Sequence, residues 1–394
     1  MPQKMKPAIK SLRIQNLLSF SERGAKIELR ALNVLIGPNG SGKSNLVEVL
    51  GLLQSAPRDL AEPIRNSGGI SDWLWKGSAA TPTAEIEALA NIPELKKPIR
   101  YKLSFTRLKS QIDITDERIE NESPLPGETQ PYFYFGYDHG RPMLNVKAGP
   151  RHLRREEVDP QKSVLSQRKD LDQYPELTRL GQLFDSFKLY RNWQFGVESD
   201  VRDLYGAELR NDFLEEDVKN LGLMLNKLHA DPRVKSELLR YLTMFNEDAI
   251  DIVTLVQSGL IDIRLEEKNR ITVSASRLSD GTLRWLALLT ILLNPSPPPL
   301  VCIEEPELGL HPDVIRPLAK LLVESSQRMQ LVVTTHSDVL VDELTETPEA
   351  VIVCEKEGGS TTLKRLKDEE LSDWLREYTL GELWHKGQIG GTRW

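Results

Sequence analysis

Residues 37–44 read Gly-Pro-Asn-Gly-Ser-Gly-Lys-Ser, the full G-x-x-x-x-G-K-[ST] pattern of a phosphate-binding loop. At average residue frequencies, a chance match in a chain of 394 residues is on the order of one in a hundred. The chemistry needs backbone amides that converge on one anion, and Gly37, Gly40 and Gly42 let the main chain approach it closely. Lys43 supplies a mobile positive charge for β- and γ-phosphates, and the Ser44 hydroxyl is placed to ligate Mg²⁺. Such a loop works only between a strand and the start of a helix. Leu32, Val34, Leu35 and Ile36 read as the strand, and Leu46, Val49, Leu50 and Leu53 recur at helical spacing behind the loop.

A second chemical run lies toward the other end. Leu300, Val301, Cys302 and Ile303 form an apolar strand ending in Glu304 and Glu305, a Walker B arrangement. Glu304 stands where a water-linked Mg²⁺ ligand is wanted, and Glu305 is placed to orient or deprotonate an attacking water. Upstream, Ser279, Asp280 and Gly281 open a strongly apolar helix ended by Asn294 and Pro295. Ser279 and Asp280 are good N-cap types, so this is a second anion-binding helix terminus. Downstream, Leu331, Val332, Val333 and Thr334 form a buried-type strand whose end carries His336, well placed to sense a γ-phosphate. His311, in the loop after the two acids, is read as shaping a subunit interface.

The rest of the chain must position these groups. A length of 394 residues points to two lobes, and 39% hydrophobic with 28% charged residues is the composition of a globular protein. A net charge of -7 argues against a surface coated for nucleic acid, while leaving room for a local basic groove. Cys302 and Cys354 lie in apolar runs and read as buried thiols of a reducing compartment. The first ten residues lack an apolar signal core, and no apolar stretch is long enough to span a bilayer, so a cytoplasmic protein is expected.

Ile9, Leu12, Ile14, Leu17, Phe20, Ile27 and Leu29 suggest two or three strands that lead into the loop strand. Residues 67–77 form a glycine-bounded aromatic loop. A strand meander fills 84–147, and residues 148–175 are charge-rich and nearly balanced, which suits a solvated face better than a nucleic-acid patch. A helical pattern runs from Glu176 to about Leu255, broken at Gly206, Asp231, Pro232 and Asn246; strands return at 261–265 and 271–273. The expected domains are a head lobe over 1–147, a helical insertion over 148–269, and a second head lobe over 270–394.

Together GPNGSGKSN (37–45), LSDGT (278–282), IEEPELGLHP (303–312) and TTHS (334–337) resemble the ABC-type P-loop ATPases of the RecF, SMC and OLD group, including stand-alone "AAA family ATPases" of prokaryotic defence systems. The resemblance implies an α/β ABC-type head with an inserted helical lobe, ATP and Mg²⁺ as ligands, and ATP hydrolysis. It assigns nucleotide contacts to Asn39, Gly40, Gly42, Lys43, Ser44 and Asn45, and to Ser279, Asp280 and Gly281 of a signature motif. Ser44 and Glu304 would hold the metal, and Glu305 with the switch histidine His336 would be catalytic. Relatives close such sites between two subunits, so a nucleotide-dependent homodimer is implied, working as sensor or regulator of a separate effector in antiphage defence. The alternative is a repair or recombination ATPase that clamps duplex DNA. Glu304 replaces the more usual Asp, Asp280 replaces the first glycine of the transporter signature, and the motifs do not place the Q-loop glutamine, for which Gln54 and Gln111 are both candidates. Neither a long coiled coil nor an acidic nuclease module accompanies the head. Three tryptophans, Trp374, Trp384 and Trp394, mark the last 21 residues as a tail pinned either on the protein's own head or on a partner.

Overall fold

The computed structural model describes residues 5–391 apart from 125, 139, 147–148, 153–157, 197–198, 203–204, 207, 209–210 and 258. Two compact units emerge: Met1–Phe187 with Glu349–Lys367 and Ile389–Trp394, and Lys188–Pro348 with Asp368–Gln388.

The first unit is built on an antiparallel sheet ordered Ala25–Glu28, Ile9–Gln15, Ala84–Ala90, Ile99–Leu108, Gln111–Asn121, Phe133–Asp138, Arg141–Val146 and Gly149–His152. The expected strand meander is therefore present. Tyr101, Phe105 and Phe135 alternate to the core side and are fully buried. Beside it, Leu32–Ile36 runs parallel to Val351–Glu357, which pairs antiparallel with Ser360–Arg365. Every residue of Leu32–Ile36 is buried, as a strand covered on both faces requires. The P-loop helix, Lys43–Ser55, buries Leu46, Val47, Val49, Leu50, Leu52 and Leu53 and packs on Pro175–Asp185. Each such side chain contributes about 1.5–3 kcal/mol, which fixes the loop that precedes them. The aromatic loop at 67–77 contains a short helix, Ile70–Trp73, and Trp73 is buried with its indole N–H donating to Ser67 Oγ at 2.7 Å.

In the second unit three parallel strands, Lys188–Tyr190, Leu300–Glu304 and Gln330–Thr334, lie side by side. The signature helix, Asp280–Leu292, is apolar almost all round and correspondingly buried. Its Trp285 stacks on Phe245 at 5.9 Å and donates to the Tyr241 carbonyl at 3.1 Å, so helix Pro232–Phe245 anchors it. Leu221–Ala230 is helical as expected, but Ala249–Gln257 is a strand where a helix was expected to run on to about Leu255. Its Ile250, Ile252, Val253, Thr254 and Val256 are β-branched, and pairing with Leu260–Glu267 takes them into a small antiparallel sheet. Segment 148–269 thus holds strands as well as helices.

Cys302 and Cys354 are buried free thiols; burial pushes both upward, Cys354 to about 12. No helix among the described residues is long and apolar enough to cross a membrane.

Candidate active site

The P-loop is a backbone construction. Gly37, Gly40 and Gly42 take φ of 145°, 76° and 101°. A Cβ at Gly37 would lie 2.2 Å from the Cys354 carbonyl oxygen and one at Gly42 2.2 Å from the Thr361 hydroxyl, so two of the glycines are also required by space. Thr361 Oγ1 donates to Ser41 O at 2.8 Å and is bonded to Ser19 Oγ at 2.6 Å, while Asn45 Nδ2 donates to the same Ser19 hydroxyl. Lys43 is only 6% exposed and its ammonium donates to Gly37 O at 2.7 Å and Pro38 O at 3.2 Å. Those carbonyls hold the charge at the mouth of the loop, where phosphate oxygens are its stronger partners. Ser41 Oγ is buried without a hydrogen-bond partner. Asn39, Gly40 and Ser44 are exposed at the rim, and Gly42 caps the helix with no side-chain acceptor, leaving first-turn amides for an anion.

The second unit carries the acids. Glu304 ends its strand with Oε1 buried and unpartnered, an arrangement that costs free energy unless a cation or its water completes it. A lone hard oxygen is the donor Mg²⁺ takes when phosphates and water supply the remaining ligands. Among the described residues no group of three or more His, Cys, Asp or Glu could hold a metal unaided. Glu305 has φ of 45°, left-handed and strained for a non-glycine residue, held by its N–H donating to Thr334 O at 3.0 Å. Its Oε1 faces His336 Nε2 at 3.5 Å, with both side chains about a third exposed. The structure therefore brings together the acid and the histidine singled out from sequence.

Two residues that sequence reasoning passed over complete this edge. Glu307 Oε1 accepts from Thr335 Oγ1 at 2.6 Å and from the His336 N–H at 2.8 Å, tying the loop after the acids to the histidine segment. Its place in the run 303–312 was the available signal. Arg202 had none: it donates to Leu278 O at 2.6 Å, Ala275 O at 3.2 Å and Phe195 O at 2.8 Å, and pairs with Asp280. Ser279 Oγ accepts from the Thr282 N–H at 3.1 Å and so caps the signature helix, and a Cβ at Gly281 would lie 2.8 Å from the Gly309 carbonyl oxygen.

The other candidates make the following contacts. His311 caps helix Pro312–Ser325, its Nδ1 accepting from the Asp313 N–H at 3.4 Å. Gln54 donates to Phe187 O at 2.8 Å, and Gln111 accepts from Gln161 at 2.9 Å. Ten residues of helix separate Gln54 from Ser44, about 15 Å along the axis. Trp384 is buried in helix Leu380–His385, which packs on Asp338–Asp342, and the Gly391 N–H donates to Glu355 at 2.8 Å, while Trp374 is exposed. Trp394, like Arg154, Arg155, Glu156 and Glu157 of the charge-rich stretch, lies outside the described residues.

Phosphate-binding loop, paired strand-end acids and a serine-capped signature helix are the equipment of a P-loop ATPase of the ABC type. The fold is similar to that of solved SMC heads. One, described as "Crystal structure of the SmcHead bound to the C-winged helix domain of ScpA", shares 15% identity over 92% of this chain and 99% of that chain, with a TM-score of 0.56. Another, from Pyrococcus furiosus, an Smc head with an extended coiled coil bound to the C-terminal domain of ScpA, shares 14% identity over 94% and 99%, with a TM-score of 0.54. No curated protein matches. Residues 32–342 match the AAA_21 family, described as "AAA domain, putative AbiEii toxin, Type IV TA system", and the chain belongs to that family.

Proposed function

We propose that this chain binds and hydrolyses ATP as a homodimer, the signature helix of one subunit closing over the P-loop of the other. The observation that carries the reading is the strained Glu305 facing His336, next to a Glu304 oxygen left without a partner. Mg²⁺, taken by Ser44 and Glu304, would neutralise charge on the β- and γ-phosphates. Lys43 and the loop amides bind the phosphates, with Asn39, Gly40, Gly42 and Asn45 shaping the cradle. Glu305 accepts the hydrogen bond, and then the proton, of the attacking water. His336 donates toward the γ-phosphate, its backbone held by Glu307, and Ser279, Asp280 and Gly281 present the second helix terminus. In chain order, 1–147 and 270–394 serve as the head and 148–269 as the inserted lobe.

We further propose that the ATPase cycle regulates a separate effector in antiphage defence. The family description, which names a toxin and a toxin–antitoxin system, supports a partnered system, and the similar SMC heads are described as bound to domains of another protein. A net charge of -7 weighs against the alternative, a clamp on duplex DNA.

Glu305→Gln should retain ATP and lose turnover by about 10²- to 10⁴-fold; unchanged hydrolysis would refute the assignment. For the composite site, Lys43→Ala and Ser279→Arg subunits are mixed. Random heterodimers then hold one doubly damaged and one intact site, so part of the activity returns, whereas an intramolecular site regains none. Purification from the native host separates the two coupled roles, an effector protein supporting the first and duplex DNA the second.

A further inference from the structure

An acid at the start of the signature helix is out of place for the proposed chemistry. Asp280 is the first residue of helix Asp280–Leu292, where the amides and helix dipole are to meet the γ-phosphate of the partner's nucleotide. Its carboxylate is two-thirds exposed and would repel that anion. The ion pair with Arg202 removes the conflict. The Arg202 guanidinium is 9% exposed and is positioned before it reaches the acid: Nε donates to Phe195 O at 2.8 Å and Nη1 to Leu278 O at 2.6 Å and Ala275 O at 3.2 Å, leaving Nη2 for Asp280. A planar fork fixed on five backbone carbonyls, those of Gly196 and Ser276 included, holds its charge in one place, which a lysine could not do. A second cation stands close by, Arg284 over the rings of Trp193 at 5.3 Å and Phe195 at 5.6 Å, on the same helix one turn on.

We infer that Arg202 is a positioning residue for the composite ATP site, neutralising Asp280 so that the signature helix can accept the partner's γ-phosphate. The same bonds make Arg202 a lever on that site: whatever draws it off Asp280 restores a negative charge at the helix start and weakens closure over ATP.

This rests on the composite-site reading above, and the test separates the two. ATP turnover and nucleotide-dependent dimerisation are measured for the full chain, Arg202→Ala, Asp280→Asn and the double variant. Arg202→Ala should raise the KM for ATP and the nucleotide concentration needed for dimerisation by about tenfold to a hundredfold, with a smaller change in kcat. Asp280→Asn, which keeps an acceptor for Arg202 but drops the charge, should lower KM. In the double variant the acid to be compensated is gone, so most of the KM penalty of Arg202→Ala should vanish. A merely structural tie predicts no such rescue, because the carbonyl contacts stay lost. A double variant no better than Arg202→Ala overturns the inference, as does a rise in KM for Asp280→Asn, a variant that leaves the Arg202 contacts in place should Arg202→Ala fail to fold. Absence of ATP turnover in the wild-type chain overturns the composite-site reading itself.

Discussion

The P-loop and the acidic strand end solve opposite problems. Around Lys43 most of the site is already built: two glycines with no room for a Cβ, a lysine bonded to its own loop, and a hydroxyl cluster from Ser19 and Thr361 behind it, with the Ser41 hydroxyl left without a partner. Around Glu304 and Glu305 the structure leaves debts, an orphaned carboxylate oxygen and a left-handed glutamate. A group that must bind every nucleotide state can be finished in advance, whereas groups that act on a transient water and metal stay incomplete until those arrive.

The sharpest way to break this contrast is to compare the two centres by nucleotide affinity. Lys43→Ala should weaken ATP binding by roughly tenfold to a hundredfold, the worth of charge-assisted hydrogen bonds, while Glu305→Gln leaves affinity intact and removes turnover. Equal losses of affinity in equilibrium titrations would erase the distinction. A smaller effect should separate two glycines of the loop. Gly40→Ala meets open space and costs only the left-handed backbone, about 1–2 kcal/mol. Gly42→Ala adds the collision with Thr361, so its melting temperature and ATP affinity should both fall further.

An acid away from both centres sharpens the comparison from the other side. Glu117 is fully buried and satisfied by Tyr101, Ser163 and the Val164 N–H, and burial pushes its carboxyl up to about 7. The folded state therefore binds a proton that the unfolded chain releases near 4.5, so this group's contribution is complete below that pH and is lost as pH rises toward 7. Relative to Glu117→Gln, wild-type stability should decline by about 1.4 kcal/mol per pH unit across that window. Urea unfolding at several pH values measures it, and a flat difference would contradict the buried, proton-holding carboxyl.

The nucleotide motifs were legible because their chemistry is local: eight residues suffice for a P-loop, and an apolar strand ending in two acids announces itself. The helices at 175–185, 221–230 and 232–245 were legible from periodicity. The strand at 249–257 was not, since its β-branched residues follow directly on a helical run and only pairing with 260–267 decides the matter. Glu307, Thr361 and Arg202 were missed for one physical reason. Each makes at least one hydrogen bond to a residue 28 to 342 positions away, and no spacing rule reaches that far.

That long reach sets an order of events in synthesis. The hydroxyl that braces the P-loop belongs to Thr361, and its partner Ser19 lies 342 positions earlier. The ribosome makes the loop early and its brace roughly 300 residues later, about 15–60 s at ~5–20 residues per second. Throughout that interval the nascent chain carries a nucleotide loop whose sequence is complete but which lacks its Thr361 hydrogen bonds to Ser41 and Ser19.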